Sequence, residues 1–241
     1  MPPTPIHAVT FDFWRTLFYA SANMQERRDA RAHVLVELLG VHPSVAKDAL
    51  KHQEQQFLQT HIHEQRTLVP EDAVNILTAK LGLDLDPTME FVVADGLENA
   101  TLEYPPSPIE GAVDAVLATA EHVPVGIISD TGMATGRTLR RVLDYFGFTQ
   151  LSAYTFSDET QVSKPQAKMY YDASTQMQVP VESLLHIGDL EPTDIAGAIS
   201  VGAHAALFAG DNDRFLGNTK AGHTFTHWDE YRAKLPELLK Q

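Results

Sequence analysis

The chain has 241 residues, 44% hydrophobic and 21% charged, with 18 Lys and Arg against 32 Asp and Glu for a net charge of −14. Such a length suits one large domain, or one domain with a smaller insert, and the apolar share is enough for a real core. The acidic balance argues against a nucleic-acid partner, since the run "ERRDAR" (26–31) is mixed in sign, and it means that an anionic substrate needs a local cation. Without Cys the chain has no disulfide, thiolate nucleophile or Cys-based zinc site. No apolar run is long enough to span a bilayer, and "MPPTPIHAVTF" lacks the pattern of a secretory signal, so a soluble cytoplasmic protein without a membrane partner is expected.

In chain order, residues 6–13 read as a buried strand containing Asp12 near its end. Residues 21–100 then break from any strand pattern. "MQERRDARAHVLVELLG", "PSVAKDALKHQEQQFLQTHIHEQ", "VPEDAVNILTAKLG" and "DPTMEFVVADGLENATL" read as four amphipathic helices, with Pro43, Pro70 and Pro87 where helices start. The proline-rich "EYPPSP" (103–108) returns the chain. Strands follow at 124–130, 184–189 and 204–210, with helices at 107–122, 135–147 and 192–203 between them. Alternation of this kind predicts an α/β fold, a parallel sheet with helices on both faces. Residues 1–20 and 104–241 are expected to form that core and 21–103 a helical insert, joined by hinge-like stretches near 19–22 and 101–108.

Ligands of open parallel sheets bind beyond the carboxyl ends of the strands. Three strands here end in polar residues: Asp12; Ser129 and Asp130; Asp189, with Asp194 close behind. Lys164 lies in a loop before the third of these strands. One strand-end Asp is ordinary turn or cap chemistry. The four stretches "FDFWRTL", "GIISDT", "SKPQAKMYY" and "HIGDLEPTDIAGA" together resemble, in order, the four motifs of the haloacid dehalogenase-like (HAD) hydrolases. The resemblance spans nearly the whole chain. It implies a Rossmann-like core, a helical cap inserted after the first motif, and, as in most members, a magnesium-dependent phosphatase. On that basis Asp12 is the nucleophile, Ser129 donates to a phosphate oxygen, Lys164 stabilises charge and Asp189 binds the metal, with Asp194 beside it. The chemistry is coherent. A carboxylate attacking phosphorus splits one hard hydrolysis into two steps, and a cation is needed to bring anion to anion. Magnesium is held by few carboxylates, carbonyls and waters, and Asp12, Asp189 and the backbone carbonyl of Trp14 supply such a set.

The pattern is broken at position 14, where most of the family's phosphatases carry a general-acid aspartate. Indole has no proton to release near neutrality, and the missing help is worth about 100- to 10,000-fold in rate. The family's haloacid dehalogenases also lack that acid, because halide leaves without a proton, and they use no metal; Tyr170 stands where they too have tyrosine. The acidic "GDLEPTD" speaks against them. Arg15 replaces a glycine or small polar residue. It either meets solvent or pairs with an acidic cap residue, or it holds an anionic group in a two-point contact. Thr16, Asp130, Trp14, Arg15 and Tyr170 are the expected substrate contacts. His61 and His63 are two apart on a helix and so face different ways, which disfavours a metal site, and His186 reads as a satisfied core histidine. Arg27, Arg28 and Arg31 read as a solvated helix face, with the alternative that one faces the substrate, as an early cap arginine does in the dehalogenases. Three readings follow: a magnesium-dependent phosphatase of a small phosphorylated metabolite, a metal-independent 2-haloacid dehalogenase using Asp12, and a binding or regulatory protein without efficient turnover.

Overall fold

The four residues Ala8–Phe11 form β1, and all four are buried because strands flank it on both edges. The computed structural model describes residues 4–240. β1 pairs in parallel with β2 (Val125–Ser129) and β4 (Leu184–Gly188), and the sheet has six strands in the order β3-β2-β1-β4-β5-β6. β3 is Leu151–Phe156, β5 is His204–Phe208 and β6 is His223–Phe225. Every pairing is parallel. One face of the sheet carries α5 (Ala112–Ala120), α6 (Gly136–Tyr145) and α10 (Trp228–Leu238), packed through Val116, Leu139, Val142 and Tyr231. The other face carries α8 (Ala167–Met177) and α9 (Ala196–Ser200), packed through Met169, Tyr170, Ala173 and Ala198. This is the α/β architecture expected from the alternation.

Between β1 and β2 come α1 (Met24–Leu39), α2 (Pro43–Glu64), α3 (Pro70–Leu81) and α4 (Pro87–Glu103). Pro43, Pro70 and Pro87 each open a helix, where the missing N–H costs nothing. Gly40 and Gly82 close α1 and α3 in the left-handed conformation at φ 64° and 67°. The four helices share a core of their own, with Leu35, Ala49, Val74, Leu77, Val93 and Leu97 at its centre.

Among the ties that join this insertion to the core are two buried charged groups. The Arg27 guanidinium donates to the carbonyls of Ala22 (2.8 Å), Tyr104 (3.0 Å) and Ala20 (3.2 Å), and so clamps both crossings of the chain. Glu98 of α4 is buried and accepts hydrogen bonds from Thr135, from Thr138 (2.6 Å) and from Arg137 at the start of α6. A buried carboxylate with all its partners is costly to remove, because the donors around it are left unpaired. Glu98→Ala is therefore expected to lose about 3 kcal/mol, or on the order of 10 °C in thermal midpoint. Glu98→Gln, which keeps the acceptor oxygen, should lose less.

Several boundaries differ from the sequence expectation. α5 begins at Ala112 rather than at 107, because Gly111 turns the chain at φ 78°. The helix expected over 192–203 is a π-helical turn, Glu191–Ile195, followed by the short α9. The second crossing begins at Tyr104, since α4 runs to Glu103. β3, β6, α8, α10 and the short α7 (Ser157–Thr160) are additional elements. Among the described residues no helix is long and apolar enough to cross a membrane.

Candidate active site

The first loop is built by aromatic packing. Phe13 stacks on Phe18 at 4.3 Å, and Phe18 leans on Phe148 at 5.1 Å. The amides of Leu17 and Phe18 both donate to the Phe13 carbonyl, and the Arg15 amide donates to that of Phe18. The turn puts Arg15 at φ 61°. None of these loop bonds uses the Trp14 carbonyl. Asp12, one residue beyond β1, is thus held at the carboxyl end of a central strand by a rigid scaffold.

Because β2, β1 and β4 are neighbours, their carboxyl ends converge. A cavity of about 570 Å³ lies there, with Asp12, Asp130, Asp189, Asp194 and Lys164 on the sheet side. Lys164 is the hub. Its Nζ donates at 2.6 Å to Asp12 Oδ1, at 2.6 Å to Asp194 Oδ1 and at 3.3 Å to the Ile128 carbonyl. Asp194 is further engaged by His186 Nε2 (3.0 Å) and, through Oδ2, by the Leu190 amide (2.9 Å). Thr10 holds the other ring nitrogen of His186 at 3.0 Å, so this histidine is the satisfied core residue its position suggested. Gly188 is required beneath Asp194, since a methyl group there would collide with its carboxyl. Asp189 accepts from Asn212 Nδ2 at 2.7 Å, and Asp130 accepts from the Lys164 amide at 3.0 Å.

The electrostatics follow from burial. Burial raises Asp12 to about 6, although the Lys164 charge pulls it back. Asp189 is pushed to about 7 by burial and then by the charges of Asp194 and Asp12. Burial likewise lifts Asp130 to about 6 against the pull of Lys164. Asp194 is the exception: burial would raise it, but Lys164 and His186 hold it well below the usual carboxylate range. Lys164 is desolvated too, yet Asp12, Asp194 and Asp130 overcome this and keep it firmly protonated. The cavity floor therefore carries more negative charge than one lysine balances, which is an environment a cation would relieve.

Among the described residues no three Asp, Glu or His side chains are grouped closely enough to cage a metal alone. Among the donors that remain open are the carboxylates of Asp12 and Asp189 and the carbonyl of Trp14, all on residues that line the cavity. That set fits magnesium, which keeps several waters. Asp194, expected beside the metal, has both oxygens taken by Lys164, His186 and Leu190 and offers no open oxygen in this arrangement.

The structure also separates the expected substrate contacts. Trp14, Arg15 and Asp130 line the cavity; Thr16, Ser129 and Tyr170 do not. Ser129 is fully buried and its hydroxyl donates to the Asp130 carbonyl at 3.2 Å. Thr16 is buried behind the loop, with its hydroxyl unpaired. Tyr170 lies under the site and donates to the carbonyls of Thr193 (2.9 Å) and Asp194 (3.2 Å). Arg15 stands 3.7 Å from Asp211 and is half exposed. His61 and His63 do face different ways: His61 lines the cavity, 3.8 Å from Asp130, and His63 is exposed. Sequence reasoning missed Asn212, although it follows the apolar run 204–210 and the strand-end rule covers it. The solvated-face reading of Arg27, Arg28 and Arg31 is corrected, because all three line the cavity.

The chain that carries this site is similar to known proteins. A family profile described as haloacid dehalogenase-like hydrolase matches residues 6–202. The chain is 40% identical over 50 residues to 5-amino-6-(5-phospho-D-ribitylamino)uracil phosphatase YigB of Escherichia coli (strain K12), a match covering 21% of each chain. Its fold resembles the HAD-hydrolase YfnB of Bacillus subtilis, solved bound to magnesium, with a TM-score of 0.65 at 17% identity over 99% of this chain and 100% of that one. It likewise resembles a 2-haloacid dehalogenase from Pseudomonas syringae pv. Tomato DC3000, with a TM-score of 0.71 at 19% identity over 98% of both chains. With the profile running from before β1 to beyond α9, and so through all four of the motifs that supply Asp12, Ser129, Lys164 and Asp189, the chain belongs to the haloacid dehalogenase-like hydrolases.

Proposed function

We propose that the protein is a magnesium-dependent phosphatase of a small phosphorylated metabolite, working through an aspartyl-phosphate on Asp12. The observation that carries this reading is the buried Asp12–Lys164–Asp194 array with Asp189 beside it on the cavity floor. Lys164 holds Oδ1 of Asp12. Oδ2 accepts no hydrogen bond from a described residue and is the oxygen free to attack. Attack forms the Asp12–phosphorus bond and breaks the ester P–O bond; water then attacks the same phosphorus and returns the carboxylate. Bound magnesium, held by Asp12, Asp189 and the Trp14 carbonyl, would supply charge neutralisation on the phosphoryl oxygens. Lys164 neutralises Asp12 and stays protonated throughout. In this reading residues 21–103 act as a cap over the cavity, excluding bulk water. Its volume, about 570 Å³, suits a metabolite rather than a phosphoprotein.

The test is release of p-nitrophenol from p-nitrophenyl phosphate, whose leaving group needs little protonation. Turnover is expected with magnesium, and its loss is expected both on chelation and in Asp12→Asn. Absence of turnover under both conditions overturns the reading. The loop itself favours a second reading: Trp14 offers no acid, as suits halide departure. Metal-independent chloride release from 2-chloropropionate, abolished by Asp12→Asn, would establish that reading. Neither activity, with ligand binding intact, would leave a non-catalytic binding protein.

A further inference from the structure

The insertion side of the cavity carries Arg27, Arg28 and Arg31 of α1. Their charges are unequally matched. Arg28 meets Glu54 through Nε and Nη2, both at 2.9 Å, and that pair is neutral as a unit. Arg27 donates only to the three carbonyls that clamp the chain crossings. Arg31 donates through Nε to the Leu97 carbonyl (3.1 Å) and through Nη2 to the Thr101 hydroxyl (3.2 Å). Carbonyls and hydroxyls orient a guanidinium without cancelling its charge. Among the described residues neither Arg27 nor Arg31 forms an ion pair with a carboxylate; Glu26 and Glu54 act on them only from a distance. Two positive charges thus remain on one wall, in a chain of net charge −14.

Arg31 feels this imbalance. Burial, and after it the charge of Arg27, lowers it to about 10. The clamp on both chain crossings accounts for Arg27. It does not account for Arg31, which touches neither crossing and whose Nη1 donates to no described residue. A guanidinium with a free edge, held in place by neutral acceptors, is built to receive a planar or tetrahedral oxyanion. The sheet side of the same cavity already has its own cation, Lys164, for the reacting group. The two walls therefore offer separate positions for two anionic groups.

We infer that the substrate is a small phosphomonoester bearing a second anionic group, carboxylate or phosphate, and that Arg31, flanked by Arg28, holds that second group. The inference rests on the phosphatase reading of Asp12 and narrows its substrate class. Arg28 is already matched by Glu54, so Arg31 is the decisive residue. Arg27 supports the hinge and adds field.

The test compares substrates that differ only in the second group. 3-Phosphoglycerate and glycerol 3-phosphate differ by a carboxylate in place of a hydroxymethyl. Fructose 1,6-bisphosphate and fructose 6-phosphate differ by a second phosphate. At least one bianionic member is expected to exceed its partner in kcat/KM by about tenfold or more, the worth of one charge-assisted contact. Arg31→Met keeps the apolar stem and should bring that ratio to near one; Arg31→Lys should keep part of it. Arg232→Met, at a surface ion pair on α10, should leave the ratio as in the wild type. A second arm needs no turnover: calorimetric binding of 3-phosphoglycerate and of fructose 1,6-bisphosphate to Asp12→Asn, with and without Arg31→Met, should show about tenfold weakening. An enzyme that hydrolyses p-nitrophenyl phosphate but prefers neither bianionic substrate overturns the inference and leaves the phosphatase standing. Arg31-dependent binding without any phosphatase turnover does the reverse. Binding that ignores Arg31 in the second arm overturns the subsite directly.

Discussion

Replacement of Lys164 by methionine is expected to cut turnover of p-nitrophenyl phosphate by about 1,000-fold and to lower the thermal midpoint by about 10 °C. The two effects have one cause. Lys164, Asp12 and Asp194 are all nearly inaccessible to water, with side-chain exposures of 3%, 7% and 1%. Removing the cation leaves two carboxylates a short distance apart with nothing to balance them. Breaking such a buried arrangement costs about 3 to 5 kcal/mol. The remedy available to the variant is protonation. Its stability deficit should therefore shrink as pH falls from 8 to 5, since neutral carboxyls no longer need the lysine. Adding Asp194→Asn removes one of the two stranded charges and should restore part of the midpoint while restoring no turnover, because the nucleophile still lacks its cation. A variant as stable and as active as the wild type would mean that Lys164 is incidental to both.

How much of this was legible before the fold depends on what each residue's position obeys. Asp12 and Asp189 could be found because the parallel sheet imposes a rule, that strand ends converge wherever the strands are neighbours, whereas Lys164 and Asp194 lie off the strands and were legible through the motif resemblance. Once β1, β2 and β4 are placed side by side, their terminal residues must meet. Arg28 and Arg31 obey no such rule. Which face of α1 looks into the cavity is decided by how four helices dock on a sheet, through long-range contacts such as Glu98 with Thr138. Charge pattern alone made a solvated face the reasonable expectation. Ser129 shows the opposite failure. Its motif is in register, yet its hydroxyl turns back to the Asp130 carbonyl, a rotamer that no sequence pattern specifies. β3 escaped notice because it is an edge strand, half exposed along "LSAYTF", and β6 because it has only three residues. Trp228 is more instructive still. It stacks on Phe208 at 4.3 Å and donates its indole N–H to the Thr16 carbonyl, so a residue near the end of the chain helps fix the first loop.

Exchange of Trp14 for aspartate is expected to raise kcat/KM for an alkyl phosphate such as glycerol 3-phosphate by about 100-fold, with a change of less than about tenfold for p-nitrophenyl phosphate. The contrast is the point of the experiment. An alkoxide leaves slowly unless a proton reaches it, whereas p-nitrophenolate does not wait for one. Position 14 lines the cavity with Asp12, so a carboxyl there is within the same enclosure as the reacting group. Its surroundings would also suit it to the task. Burial already lifts Asp12 to about 6 against the pull of Lys164, and burial with the charges of Asp194 and Asp12 lifts Asp189 to about 7. A further carboxyl in that field would be lifted as well, and an acid that keeps its proton near neutrality is what the leaving group requires. The structural cost is bounded. Trp14 is only half buried and packs its edge on Phe13 at 4.8 Å, while the loop's shape depends on the Phe13–Phe18 stack and on backbone bonds that aspartate leaves alone. A loss of about 1 to 2 kcal/mol is the scale to expect for that packing. If both substrates speed up equally, the gain comes from widening the pocket and not from proton transfer. If neither does, leaving-group protonation is not what limits Asp12, and the tryptophan belongs to a hydrolysis in which the departing group never needed a proton.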